Sequence, residues 1–226
     1  MTREKEAFKI WMAVILWIAA LLILHIMPLS FWRFHLTGLI CATLILKYLN
    51  KNNLAKYQFE PRCIRGKYYI ILTLIIVAIL LWYSLATYGF IKRLAPLNEE
   101  DPVLQLVKST LRQNRFPYEI VFMFLAVGLI YPIFEEFLYR GCVLHYYTNK
   151  IGFLKANILT AMIFSLTHMA VYFQHDWWPF FTLALKGLIY GYIFKKFNHI
   201  KFPIIMHSVG NISNFTMFII VERALN

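Results

Sequence analysis

Two adjacent carboxylates and an arginine lie at the end of a long apolar stretch, where residues 134–141 read FEEFLYRG. An ionisable group inside a membrane segment costs at least ~2.5 kcal/mol on insertion scales, so such groups commonly serve a function. The structural alternative is a buried ion pair that only fixes how helices pack. A functional interpretation predicts proton-transfer chemistry in an apolar environment.

Helical spacing gives the two carboxylates different roles. Glu136 and Arg140 are four residues apart with the acid first, which favours an ion pair on one helix face. Glu135 is five residues from Arg140 and points to a different face. A carboxylate in an apolar site can accept and return a proton near neutral pH. We therefore expect Glu136 to orient the site and Glu135 to act as the base.

Two later apolar runs carry further polar residues. His168 ends the stretch FSLTH, and His207, Asn211 and Asn214 follow a helical rhythm that makes one polar stripe. Hydrogen bonding between helices, at ~1 kcal/mol per contact, is the structural alternative. If these polar residues shared one pocket, they could bond to one another, which would lower the free-energy cost of burying each of them. We expect six residues on three spans to form one site: Glu135, Glu136, Arg140, His168, His207 and Asn211.

Composition indicates a polytopic membrane protein. The 226 residues are 60% hydrophobic and 15% charged, which is too apolar for a soluble domain. The net charge of +12 comes from short clusters between apolar runs, so it favours membrane topology over nucleic-acid binding. Three cysteines at positions 41, 63 and 142 lack metal-site spacing, and no structural disulfide is expected.

The apolar runs predict an all-α fold: a polytopic transmembrane helical bundle of about seven spans, forming a single membrane domain over residues 1–226. Residues 1–115 hold the N-terminal spans and an amphipathic helix at the membrane surface (92–116), and 116–222 hold the motif-bearing core. A kink is expected at Pro132. The predicted spans are 10–27, 31–49, 68–91, 117–146, 151–173, 178–197 and 202–221.

Loop charges predict the orientation. A cytoplasmic N-terminus places the basic loop 50–67 and the lysines near positions 150 and 196 inside. The loop 174–178, which has no Lys or Arg, then falls outside. The five basic residues of 92–116 also fall outside, against the rule. We therefore predict an integral membrane protein with its N-terminus in the cytoplasm. The small size and the absence of a retention signal favour a bacterial cell membrane.

Three motifs occur in order on separate predicted spans: EExxxR at 135–140, FxxxH at 164–168 and HxxxN at 207–211. Together they resemble the CPBP family of intramembrane proteases, which includes the CAAX prenyl endoproteases and bacteriocin-processing or abortive-infection proteins. The resemblance covers about residues 116–222 and implies a helical membrane fold with a polar cavity. It implies that Glu135 is the catalytic glutamate, that His168 helps it activate water, and that His207 and Asn211 stabilise the oxyanion.

The implied activity is hydrolysis of a peptide bond in a membrane-associated peptide or protein, with no cofactor. A pheromone or bacteriocin precursor is the expected substrate, ahead of a prenylated CAAX protein, and membrane lipid is the other expected partner. A zinc-dependent version would use Glu135, His168 and His207 as ligands, although HExxH is absent. A non-enzymatic immunity or scaffold protein of the same family is the other alternative.

Overall fold

The computed structural model describes residues 3–26, 31–52, 121–122, 124–172 and 178–225. These residues form helices and no strand, so the prediction of an all-α fold is confirmed for them. The α-helices are α1 (Arg3–Ile26), α2 (Phe31–Lys51), α3 (Tyr131–Glu136), α4 (His145–Ile151), α5 (Phe153–Tyr172), α6 (Trp178–Phe197) and α7 (Lys201–Leu225). Two π-helical segments flank α3: π1 (Ala126–Ile130) and π2 (Phe137–Leu144).

Five helices, α1, α2, α5, α6 and α7, coincide with predicted apolar runs. The predicted span 68–91, the amphipathic segment 92–116 and Cys63 lie outside the described residues. Across the described ranges, every helix falls short of the length and apolarity required to cross a membrane. The seven spans therefore stay a prediction.

The run that carries the acidic motif alternates between two kinds of helix. Pro132 is the second residue of α3, directly after π1, where a missing N–H interrupts regular helical hydrogen bonding. The motif residues Glu135 and Glu136 end α3, and π2 begins at the next residue. Wide π turns inside helices are frequent at functional sites. Gly152, with φ of 79°, adopts a conformation that favours glycine and ends α4.

The described helices pack as two compact units. The first contains α1, α2, α3, π2, α4, α5, α6 and the first turn of α7. The second contains π1 up to Leu129 and α7 from Met206 onward. The prediction of one membrane domain over residues 1–226 is not tested by this grouping.

The core of the first unit forms where α1, α3, π2 and α5 meet. Trp17 of α1 packs edge-on against Phe134 of α3, with ring centroids 4.5 Å apart. Tyr139 of π2 packs in the same way against Phe164 of α5, at 5.2 Å. All four side chains are fully buried. This aromatic cluster places the end of α3 and the start of π2 against α5.

Helices α5 and α6 approach each other closely at Gly187. A Cβ atom at that position would lie 3.0 Å from both the Cα and the Cβ of Ala161. One turn further, a Cβ at Gly191 would overlap the amide of Asn157, whose Nδ2 donates to the Leu188 carbonyl at 3.0 Å. A side chain at Gly187 would therefore meet the backbone of α5, whereas one at Gly191 would displace the Asn157 amide from its position.

Replacing Gly187 with Ala should destabilise the protein, because the new methyl group meets the backbone of α5 and no flexible side chain can yield. Overpacking of this kind costs about 1–3 kcal/mol. The measurement is the unfolding midpoint of purified protein in detergent. Ile189→Ala, on the exposed face of the same helix, is the control and should change the midpoint less. Equal shifts for the two variants would contradict the close contact.

Candidate active site

The acidic motif contains a fully buried ion pair. Arg140 Nη1 donates to Glu136 Oε1 at 2.9 Å, and neither side chain reaches solvent. Arg140 Nη2 donates to the Gly187 carbonyl of α6 at 3.0 Å. The guanidinium carbon also lies 4.9 Å from the centre of the Phe164 ring and 5.3 Å from that of Tyr190. The ion pair expected from the spacing is thus present, and it joins π2 to α5 and α6.

The second motif carboxylate faces the histidine of α5. Glu135 Oε2 lies 3.5 Å from His168 Nε2, which is longer than a direct N–H···O hydrogen bond. The exposed side-chain fractions are 8% for Glu135 and 19% for His168, so both groups are mostly buried but still reach solvent. At this distance a water molecule beside the pair can bond to both groups. The two carboxylates thus face different partners, and their expected roles as orienter and base stay a prediction.

A backbone carbonyl fixes the protonation of the His168 ring. Nδ1 lies 2.8 Å from the Phe164 carbonyl oxygen, which can only accept a hydrogen bond. Nδ1 therefore carries a hydrogen, and Nε2 is the nitrogen that faces Glu135. In the neutral ring, Nε2 can only accept a hydrogen bond, and a water molecule beside the pair can supply it. In the protonated ring, Nε2 carries a hydrogen and faces the carboxylate as a donor.

Phe164 connects the two pairs. Its ring centroid lies 4.4 Å from that of His168, at a 49° tilt, and Arg140 lies over the same ring. Its carbonyl holds the imidazole. The phenylalanine of the FxxxH motif thus positions the histidine with both its ring and its backbone.

The residues of the third motif belong to the second unit. His207 is buried, and Asn211 is half-buried. Asn211 Nδ2 donates to the Val127 carbonyl of π1 at 2.9 Å, next to Gly128, where a Cβ would lie 2.8 Å from Ile212 Cγ1. A side-chain amide has two hydrogens, so this bond orients the group and leaves a second donor. A single pocket shared by all six predicted residues therefore stays a prediction.

The proposed zinc ligands are likewise divided, with Glu135 and His168 in the first unit and His207 in the second. In the described ranges there is no group of three or more His, Cys, Asp or Glu side chains that could hold a metal ion. The described cysteines, Cys41 and Cys142, are free thiols.

The sequence motifs do not include Lys186, although its charge acts electrostatically on His168. Lys186 is half-buried and lies on the face of α6 that also carries Leu183 and Tyr190, away from the exposed apolar residues of the helix. It makes no hydrogen bond or ion pair among the described residues. A lysine in the middle of an apolar run is the sequence signal that could have identified it.

Comparison with known proteins agrees with the motifs. Residues 117–213 match the family model described as type II CAAX prenyl endopeptidase Rce1-like, and this stretch contains all three motifs. This match confirms the resemblance of the motif-bearing stretch to the CPBP proteases.

The matched stretch is less than half of the chain. No curated protein and no solved structure matches the sequence.

Replacing Glu136 with Gln should destabilise the protein, because the charge of Arg140 then stays buried without its carboxylate. Breaking a buried pair in this way costs ~3–5 kcal/mol. The measurement is the unfolding midpoint in detergent, with the amount of folded protein in the membrane as a second reading.

Two variants control this experiment. Glu135→Gln makes the same chemical change at the neighbouring residue but leaves Arg140 paired, so it should destabilise less. The double variant Glu136→Gln with Arg140→Met removes both charges and should be more stable than Glu136→Gln alone. A double variant as unstable as the single one would show that the ion pair is not the source of the loss.

Proposed function

We propose that this chain is an integral membrane endopeptidase that hydrolyses a peptide bond in a membrane-associated peptide or protein. The observation that carries the proposal is the shielded Glu135–His168 pair, in which the Phe164 carbonyl directs Nε2 towards the carboxylate. A carboxylate and a basic nitrogen 3.5 Å apart can both bond to one water molecule beside them and remove its proton.

Membrane integration is supported by the outward faces of α5 and α6. Their exposed side chains include large apolar residues at helical spacing: Leu154, Ile158, Met162 and Leu166 on α5, and Phe181, Leu185, Ile189 and Tyr192 on α6. The charged pair and the hydroxyl groups of Ser165 and Thr167 are buried instead. Apolar surface of this extent is rare on soluble monomers and suits contact with lipid.

Lysines next to aromatic rings support the same proposal. They lie where α4 meets α5 and where α6 meets α7: Lys150 Nζ is 4.4 Å from the Tyr146 ring centre, Lys195 is 4.2 Å from Phe153, and Lys201 is 5.3 Å from Phe202. Aromatic and basic side chains concentrate where membrane helices reach the interface. We place this end of the helices, with the N-terminus, on the cytoplasmic side of a bacterial cell membrane.

The proposed reaction needs no metal. Glu135 accepts a proton from the water held beside His168, and the resulting hydroxide forms a bond to the scissile carbonyl carbon. His207 and the second amide hydrogen of Asn211 donate to the developing oxyanion, a contribution of ~2.7–4 kcal/mol for each donor. The carbon–nitrogen bond then breaks as the proton passes from Glu135 to the leaving amine.

The substrate is a hydrophobic peptide or protein segment at the membrane. A leader-bearing precursor of a pheromone or bacteriocin is our first choice. A prenylated CAAX substrate, which the family description names, is the second. Mass spectrometry of peptides from cells with and without the protein tests both directly.

Glu135→Gln should abolish hydrolysis while the protein stays folded, because Gln keeps the shape of the side chain but cannot take a proton. Loss of a general base lowers turnover by roughly 10²–10⁴-fold. The measurement is cleavage of a fluorogenic farnesylated CAAX peptide and of the precursors identified in cells. Glu4→Gln, at an exposed carboxylate of α1, is the matched control and should keep full activity. Full activity of Glu135→Gln would contradict its role as base.

Treatment with a strong zinc chelator followed by dialysis should leave hydrolysis unchanged, because Glu135 and His168 are proposed to activate water directly. Elemental analysis of the treated protein should find well below one metal ion per chain. In the zinc-dependent alternative, chelation abolishes activity, added zinc restores it, and replacing His168 or His207 removes the bound metal.

Stoichiometric metal that is lost together with activity would overturn the metal-free mechanism. A protein that protects cells from a bacteriocin without cleaving any peptide would instead favour the non-enzymatic immunity role.

A further inference from the structure

Beyond the motif residues, we propose that Tyr139 and Thr167 are positioning residues that hold His168 in its working orientation through the Phe164 carbonyl. Their contribution to catalysis rests on the proposed hydrolytic function, whereas the hydrogen bonds that hold His168 do not depend on it. Neither residue is a fixed letter of the three motifs.

The hydrogen bonds run in one direction only. Thr167 Oγ1 lies 2.8 Å from the Phe164 carbonyl oxygen, which can only accept, so the threonine hydroxyl donates its single hydrogen there. Tyr139 Oη lies 2.6 Å from the same Thr167 oxygen. Because that oxygen has no further hydrogen to give, Tyr139 must be the donor. The chain is therefore Tyr139 to Thr167 to the Phe164 carbonyl.

The Phe164 carbonyl is the meeting point of two side chains. It accepts from Thr167 on one side and from His168 Nδ1, at 2.8 Å, on the other. The helix directs this carbonyl along its axis, and the threonine bond restrains the carbonyl further. The carbonyl in turn fixes the tautomer and tilt of the imidazole. The nitrogen that faces Glu135 is thereby held as an acceptor whenever the ring is neutral.

Burial keeps this chain in place. Tyr139 and Thr167 are almost completely inaccessible to solvent, so water cannot substitute for either partner. The Tyr139 ring also stands edge-on to the Phe164 ring, with an interplanar angle of 89°. The phenol and the carbonyl it supports are therefore held by the same aromatic contact.

The chain offers a matched set of variants for this idea. Thr167→Val removes the hydroxyl but keeps the shape, Thr167→Ser restores it, and Tyr139→Phe removes only the first donor. The control is Thr160→Val on the same helix: Thr160 is equally buried and donates to the Ala156 carbonyl at 2.8 Å, with no link to His168.

In cleavage of the fluorogenic farnesylated peptide, Thr167→Val should lower kcat roughly tenfold with little change in KM, as for removal of a group that orients a functional histidine. Tyr139→Phe should act in the same direction with a smaller effect, and it carries the test if Thr167→Val does not fold. Thr167→Ser should restore kcat, and Thr160→Val should keep it. Equal kcat values for Thr167→Val and Thr160→Val would overturn the proposal.

A measurement that does not depend on activity separates this proposal from the proposed function. Diethyl pyrocarbonate modifies unprotonated imidazole, and mass spectrometry of the peptide that contains His168 gives its rate against pH. Release of the ring should speed this modification in Thr167→Val and Tyr139→Phe, but not in Thr167→Ser or Thr160→Val. If the native protein cleaves nothing, the hydrolytic function fails while these rates still decide the geometry. Identical rates in all variants would overturn the positioning role.

Discussion

The positive charge of Arg140, fully buried in an apolar helix cluster, is the constraint on which the first unit depends. An arginine cannot lose its proton to escape burial, so the surrounding chain must compensate its charge. Glu136 does so from the preceding turn, Gly187 offers its carbonyl from α6, and two aromatic rings face the guanidinium. These partners come from separate elements, so compensating one charge also sets the mutual positions of π2, α5 and α6.

Phe164 links the buried arginine to the proposed catalytic histidine. Its ring lies between Arg140 and His168, and its carbonyl holds the imidazole. The Glu136–Arg140 pair and the proposed catalytic Glu135–His168 pair thus both contact Phe164, although their carboxylates point in different directions. This division explains why two adjacent acidic residues are not interchangeable: one neutralises a fixed charge, and the other faces a group that can gain and lose a proton.

The sequence indicated the helices and the Glu136–Arg140 pair because both follow from short-range periodicity. It did not indicate π1 and π2, since an apolar pattern does not distinguish wide helical turns from regular ones. Lys186, Tyr139 and Thr167 were missed for another reason. Their importance arises from how α6 and π2 pack against α5, and that register depends on small contacts such as Gly187 against Ala161. Whether His207 and Asn211 complete the same site depends on tertiary geometry that helical spacing does not determine.

If α6 lies in the membrane as proposed, the lysine–aromatic contact at its end also indicates how deep its other residues lie. Lys195 lies eight residues beyond Gly187, the anchor of Arg140, which at ~1.5 Å per residue is about 12 Å along the helix axis. The hydrocarbon layer of a bilayer is ~30 Å thick. If Lys195 marks the membrane interface, Gly187 and the charge of Arg140 would lie close to the middle of the bilayer, where the backbone groups of an approaching peptide would find little water to bond to. A peptide can reach this depth only if its own amide groups are satisfied on the way, so access to the site would select for segments able to unwind locally at the last step.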